Sequence, residues 1–120
     1  MTQPYYYILD ADGQPAPIDD CIAWAEWVGA NHDRSVVEQT TMAGPDGSII
    51  QVSTVFLGLD HSHGGPLPLL YETMIFGGQH DQMMWRYSTP EQATAGHADI
   101  VAALTAGHDL GDMYHPGGAS

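Results

Sequence analysis

The chain is expected to fold as an α+β domain: an antiparallel sheet of four to five strands, in the order β-α-β-β-β-β-α, with two helices packed on one face. Three observations predict it. Five runs rich in aromatic and β-branched residues (YYYIL, SVVEQTTMA, SIIQVSTVFLGL, LLYETMIF and MMWRYS) mostly follow one another across short Gly-, Pro- and Asp-containing turns, the pattern of consecutive antiparallel strands. Two other stretches repeat apolar residues at helical spacing. The length, 120 residues, allows one hydrophobic core and no second.

Each element has a local reason. Residues 5–9 read as a strand, closed by the turn Asp10-Ala11-Asp12-Gly13, and Pro15 and Pro17 keep the next stretch extended. DDCIAWAEWVGAN reads as a helix with Asp19 as N-cap, Ile18 and Ala23 as a hydrophobic staple, and Gly29 or Asn31 at its end. Its expected buried stripe is Cys21, Trp24, Ala25 and Val28, which leaves Trp27 off the stripe and exposed. Residues 35–43 and 48–59 form a hairpin across Gly44-Pro45-Asp46-Gly47, followed by a Gly/Pro loop at 60–68 and strands at 69–76 and 83–88. Thr89-Pro90-Glu91-Gln92 is a capping box with proline in the first turn, starting a helix to about Ala106 that buries Ala93, His97, Ile100, Val101 and Leu104. Residues 1–107 are therefore one domain, and 108–120 a loose tail. The strands 49–59 and 69–76 are apolar on both faces. Two helices cannot cover both, so a homo-oligomer is expected, the second face meeting another chain or the loop 60–68.

Charge excludes several function classes. There are 15 acidic residues against two basic ones, Arg34 and Arg86, with no lysine and a formal net charge of -13. A nucleic-acid backbone binder needs clustered cations, and an anionic membrane would repel such a chain. No run approaches the ~18 apolar residues of a membrane span, and the N-terminus shows no secretory pattern, so an intracellular location is expected. The single cysteine, Cys21, allows no internal disulfide or cysteine-built zinc site and reads as a packed thiol. The acidity suits solubility, and it equally suits a field that draws a basic partner by mimicking a phosphate backbone.

Few side chains suggest chemistry. Asp60-His61-Ser62-His63 follows the longest strand, and His61 and His63 point the same way in extended backbone. With Asp60, Glu72 or His80 they could hold zinc or a similar ion; the simpler reading has Asp60 capping backbone amides and His61 packing on the sheet. His97 is expected to be a core histidine hydrogen-bonded to Glu72 or Asp60. Arg86 is expected to pair with an internal carboxylate, or else to grip a ligand. Trp27 and Trp85 are candidates for a partner surface beside Arg86, Asp60 and His61, and Met83 and Met84 belong to the same group. No Gly-x-Ser-x-Gly elbow or phosphate loop is present.

As a set, STVFLGLDHSHGG, LPLLYETMIFGG and RYSTPEQATAGH, with YYYILDADGQPAP and AWAEW before them, resemble a family of small proteins encoded by bacteriophages and prophages. The resemblance spans about Tyr5 to about Leu104. It implies a phage gene expressed in the host bacterial cytoplasm and brings no reaction with it. The family often carries a bulky apolar residue where His63 stands here, which weighs against a metal. The expected function is a non-catalytic acidic binding protein without cofactor. It would inhibit a host defence or nucleic-acid-handling complex by contact with a basic host protein, without touching nucleic acid directly. The alternatives are a small metal-dependent hydrolase on Asp60, His61 and His63, and a sponge for a small signalling molecule.

Overall fold

The computed structural model describes residues 5–62, 65–108 and 110. The fold is α+β. Strands β1 (Tyr6–Leu9) and β2 (Pro15–Ile18) form a hairpin, followed by helices α1 (Cys21–Ala30) and α2 (His32–Ser35). Strands β3 (Val36–Ala43), β4 (Ile49–Phe56), β5 (Tyr71–Phe76) and β6 (Met84–Tyr87) come next, and helix α3 (Pro90–Thr105) is last. The last four strands make one antiparallel meander in the order β3-β4-β5-β6.

The N-terminal region differs most from expectation. The extended stretch around Pro15 and Pro17 is a strand, and β1 pairs with it in a separate two-stranded sheet. The Asp10 amide donates to the Gln14 carbonyl at 2.9 Å. That bond puts the even-numbered pairs in hydrogen-bonding register. The missing N–H groups of both prolines then fall where none is needed. The Asp10 carboxylate closes the turn by accepting from the amides of Asp12 and Gln14, each at 2.9 Å. The hairpin touches the larger sheet where the chain runs on past β4, through a bridge between Tyr6 and Leu59.

Helix α1 is capped by Asp20 and not by Asp19: the Asp20 carboxylate accepts from the amides of Ile22 and Ala23. The cap shifts by one residue, so Ile18 and Ala23 lose the staple spacing. Cys21 and Ala25 are exposed, and no residue of α1 is fully buried. Apolar residues surround this helix, so spacing alone does not choose its face. The two indoles choose it. Trp24 packs on Tyr6, and Trp27 meets the Phe56 ring edge-on, with centroids 6.1 Å apart. Trp27 is therefore half-buried and not exposed as expected. Asn31 ends the helix, its side-chain amide donating to the Trp27 carbonyl at 2.8 Å.

The four-stranded sheet and α3 enclose the core. Ile50, Val52, Thr54 and Phe56 of β4, Tyr71, Thr73 and Ile75 of β5, and Trp85 and Tyr87 of β6 share the buried face. Ala93, His97, Ile100 and Ala103 of α3 press on it, and the capping box at Thr89 and Gln92 forms as expected. Thus α3 covers the sheet, whereas α1 packs mainly on the hairpin. Leu110 is completely buried and belongs to the core, within the stretch expected to be loose; residues 111–120 of that stretch lie outside the described residues.

Two glycines are required by close approach. Gly77 starts the β5–β6 turn at φ +92°, and a Cβ there would collide with the Ile49 carbonyl. Gly96 lies under the Tyr87 ring, and a Cβ there would run into the ring and its hydroxyl. In an open helix, Gly to Ala gains up to ~1 kcal/mol. Here the collision reverses the sign: Gly96→Ala is expected to destabilise the domain by about 1–3 kcal/mol. Thermal denaturation beside the exposed control Ala98→Gly checks this, and a Gly96→Ala variant more stable than the parent would disprove the contact.

Candidate functional site

The most concentrated polar chemistry lies beneath α3. The strand alternation that buries Val52 and Phe56 also buries Thr54, and the register sets Thr54 opposite Thr73. Thr40, on β3 opposite Val52, faces the same way. Their hydroxyls meet His97 from the helix. Its Nδ1 shares a hydrogen bond of 2.7 Å with Thr54 Oγ1, and its Nε2 one of 2.9 Å with Thr40 Oγ1. Thr54 in turn bonds Thr73. A Glu38 carboxylate oxygen lies 3.8 Å from His97 Nε2, with half of that side chain in solvent.

His97 is buried, as expected, but its partners are not Glu72 or Asp60. Glu72 points to the opposite side of the sheet, and Asp60 is taken up in its own loop. The connectivity hydroxyl–imidazole–carboxylate is that of a nucleophile, base and orienting acid. Its burial argues against that use: Thr54 and Thr73 are 0% exposed and His97 is 1% exposed, so no substrate reaches either hydroxyl. Burial disfavours the charged imidazole and lowers its pKa, a shift that Glu38 partly opposes. The arrangement joins helix to sheet.

The loop after β4 is organised by Asp60. Its carboxylate accepts from the amides of Ser62 at 2.8 Å and Leu69 at 3.1 Å. Partial burial works against its charge, yet these bonds, the Ser62 hydroxyl and the nearby His61 hold its pKa below the usual carboxylate value. Asp60 thus caps backbone amides, and His61 is half-buried beside it. His63 lies outside the described residues. Among the described residues no three His, Cys, Asp or Glu side chains converge as a metal-ligand set.

Arg86 sits opposite Glu72 in the β5–β6 register, and its Nε donates to Glu72 Oε2 at 3.1 Å. The expected internal carboxylate partner is therefore Glu72. The neighbouring Trp85 alternates to the other face and is buried at 8% exposure, which corrects its place on a partner surface. Met84 stays on the face of Arg86. Sequence reasoning missed Thr40, Thr54 and Thr73. The available signal was Thr54 itself, a polar residue at the alternation of Ile50, Val52 and Phe56.

A cavity of about 180 Å³ opens at the end of the sheet, between the turns at 44–48 and 78–80 and the end of α3. Its floor is Met42, Ile50 and Leu104, with His80 and His108 at its wall. Comparison with protein-family models, curated proteins and solved structures finds no match to the chain.

His97 carries two expected outcomes. His97→Ala removes a buried ring and leaves Thr54 and Thr40 without it, a loss of about 2–4 kcal/mol in denaturant unfolding. Its pKa is lower in the fold than the ordinary 6.5. Below that value the unfolded chain therefore binds more protons, and stability falls as pH falls. The acid window of Asp46 and Asp60 is separate, because their ordinary value is 3.8 and their pKa values are lowered from it. Unfolding free energy measured from about pH 7.5 to about pH 5 should decline in the parent and stay flatter in His97→Gln. A flat parent profile would contradict a lowered pKa for the buried imidazole.

Proposed function

We propose that the chain is a bacteriophage-encoded, non-catalytic binding protein that works as a homo-oligomer in the host bacterial cytoplasm. It inhibits a host defence or nucleic-acid-handling complex by contact with a basic protein. The observation that carries the reading is the disposition of charge. Both arginines are engaged within the fold. Arg34 Nη2 donates to the Asp10 carbonyl at 2.6 Å, with its guanidinium 5.8 Å from the centre of the Trp27 ring, and Arg86 pairs with Glu72. The acids stand outside. Asp12 lies in the turn between β1 and β2, Asp33 in α2, Asp19 and Glu26 flank and line α1, Asp46 and Asp81 occupy the sheet turns, and Glu91 and Asp99 lie on the outer side of α3, all exposed.

Such a surface complements a groove built to hold a phosphate backbone. Its field reaches a basic partner over a Debye length of ~8 Å at physiological ionic strength and steers encounter more than it sets residence time. Within the hydroxyl–imidazole group the Thr54 and Thr73 hydroxyls are fully buried, which suits a structural role for them. No helix among the described residues is long and apolar enough to cross a membrane.

The test is surface plasmon resonance against the partner captured from infected host lysate. The partner should be basic, and its association rate should fall at least tenfold between about 50 and 500 mM salt. Asp12→Asn, Asp19→Asn, Asp33→Asn and Asp99→Asn together, chosen away from the capping carboxylates Asp10, Asp20, Asp46 and Asp60, should slow association and leave the melting temperature unchanged. An acidic partner, or an association rate indifferent to salt, would sink the reading.

A further inference from the structure

We propose that the face of the four-stranded sheet turned away from α3 is the contact between two copies of this chain, packed sheet on sheet. The inference rests on the oligomer reading above and adds the surface that makes it. Register places Thr41, Gln51 and Phe76 in one row of that face, and Gln39, Ser53, Met74 and Met84 in the next. Ala43 and Ile49 pair at one end, and Glu72 and Arg86 at the other. Ile49 is 66% and Phe76 45% exposed, two of five large apolar side chains so exposed among the described residues.

The charge of this face identifies its occupant. In a chain of net charge -13, the face carries one acid and one base, already paired with each other at 3.1 Å. A basic partner gains nothing from the field there. A second copy gains an approach over a face whose one carboxylate is already paired. The face is also self-complementary. Ile49, Met74, Phe76 and Met84 can interdigitate with their own kind, and Gln39, Gln51 and Thr41 carry both donors and acceptors, so across a two-fold axis the donors of one copy can meet acceptors of the other. Stacked sheets approach to about 10 Å with strands about 30° from aligned, a geometry that a twisted meander with one face free can adopt. Four strands at ~4.8 Å spacing and about six residues of ~3.3 Å rise give roughly 400 Å² in plan. Two such faces, about 800 Å² in all, fall below the ~1,200 Å² of stable complexes, so a weak, transient dimer is expected.

The salt response separates this contact from capture of a basic partner. Salt screens repulsion between two acidic copies, so the dimer should strengthen as salt rises, where partner capture should weaken. Analytical ultracentrifugation of the full chain from about 5 to about 200 µM should show a monomer–dimer equilibrium that tightens between low and high salt. Ile49→Glu and Phe76→Glu should each weaken it at least tenfold, while Glu91→Gln on α3 should not. Hydroxyl-radical footprinting of the unmodified chain should show Met74 and Met84 becoming protected as concentration rises, a readout that needs no variant to fold. A chain that is monomeric at every concentration and salt removes both this contact and the oligomer reading. A dimer unaffected by folded variants, or protection of Met74 and Met84 that does not change with concentration, removes the face alone.

Discussion

The seat of α3 on the sheet depends on a layer of hydroxyls and one imidazole enclosed by apolar side chains. Thr54, Thr73 and His97 are sealed from water, and Thr40 and Glu38 link them to the edge strand β3. A buried polar group without a partner costs about 1–3 kcal/mol, so the layer is tolerable only when its members meet. This constrains the fold more tightly than oil-like contact would. Sliding β4 by one residue would present Ser53 and Val55 to the helix in place of Thr54 and turn Val52 and Phe56 to the other face. Rotating α3 would carry the imidazole away from both of its hydroxyls. Apolar residues bring helix and sheet together; the polar layer selects one register and one rotation.

The rest of the packing follows from that seat. With α3 fixed above β4 and β5, Tyr87 must pass beside the helix, and Gly96 provides the space. Phe56, at the end of the same buried row, meets Tyr71 on one side and Trp27 on the other. Through Trp27 the α1–hairpin unit joins the main core, helped by the bridge from Tyr6 to Leu59. The hairpin would be marginal alone, because two short strands bury too little. Its stability comes from α1, whose indoles cover it, and from the kinked continuation of β4, where Gly58 takes a φ of +75° against Trp24.

Most of the charge is sorted away from the open sheet face. Turns and helix outer faces carry the acids, several of which also serve structure: Asp10, Asp20, Asp46 and Asp60 each accept backbone amides. The open sheet face carries amides, hydroxyls, thioethers and a single internal ion pair. The proposed encounter with a basic protein and the proposed contact between copies therefore use separate parts of the molecule and respond to salt with opposite sign, because one is driven by the field and the other must overcome it.

Much of the fold was readable from the chain because its signals are local. Alternation over 49–56 and 71–76, the Gly-Pro-Asp-Gly turn and the Thr89–Gln92 capping box each act within a few residues, and all four strands of the meander and α3 form close to where they were expected. The charge was likewise complete in the composition. Elements whose signal is not local were misjudged. Pro15 and Pro17 hide a strand until β1 supplies the pairing that makes their missing N–H groups harmless. The apolar residues surrounding α1 point nowhere until the hairpin and Phe56 take up Trp24 and Trp27. Trp85 reads as a surface residue until strand parity, counted from Tyr71 and Thr73 across the sheet, turns it inward. The partners of His97 lie 57 and 43 residues away, at Thr40 and Thr54. Threonine is an ordinary strand residue, so nothing in the chain marks those two as the groups an imidazole will meet. That meeting belongs to tertiary structure, because only the register of β3 on β4 and the rotation of α3 bring the three side chains within hydrogen-bonding distance.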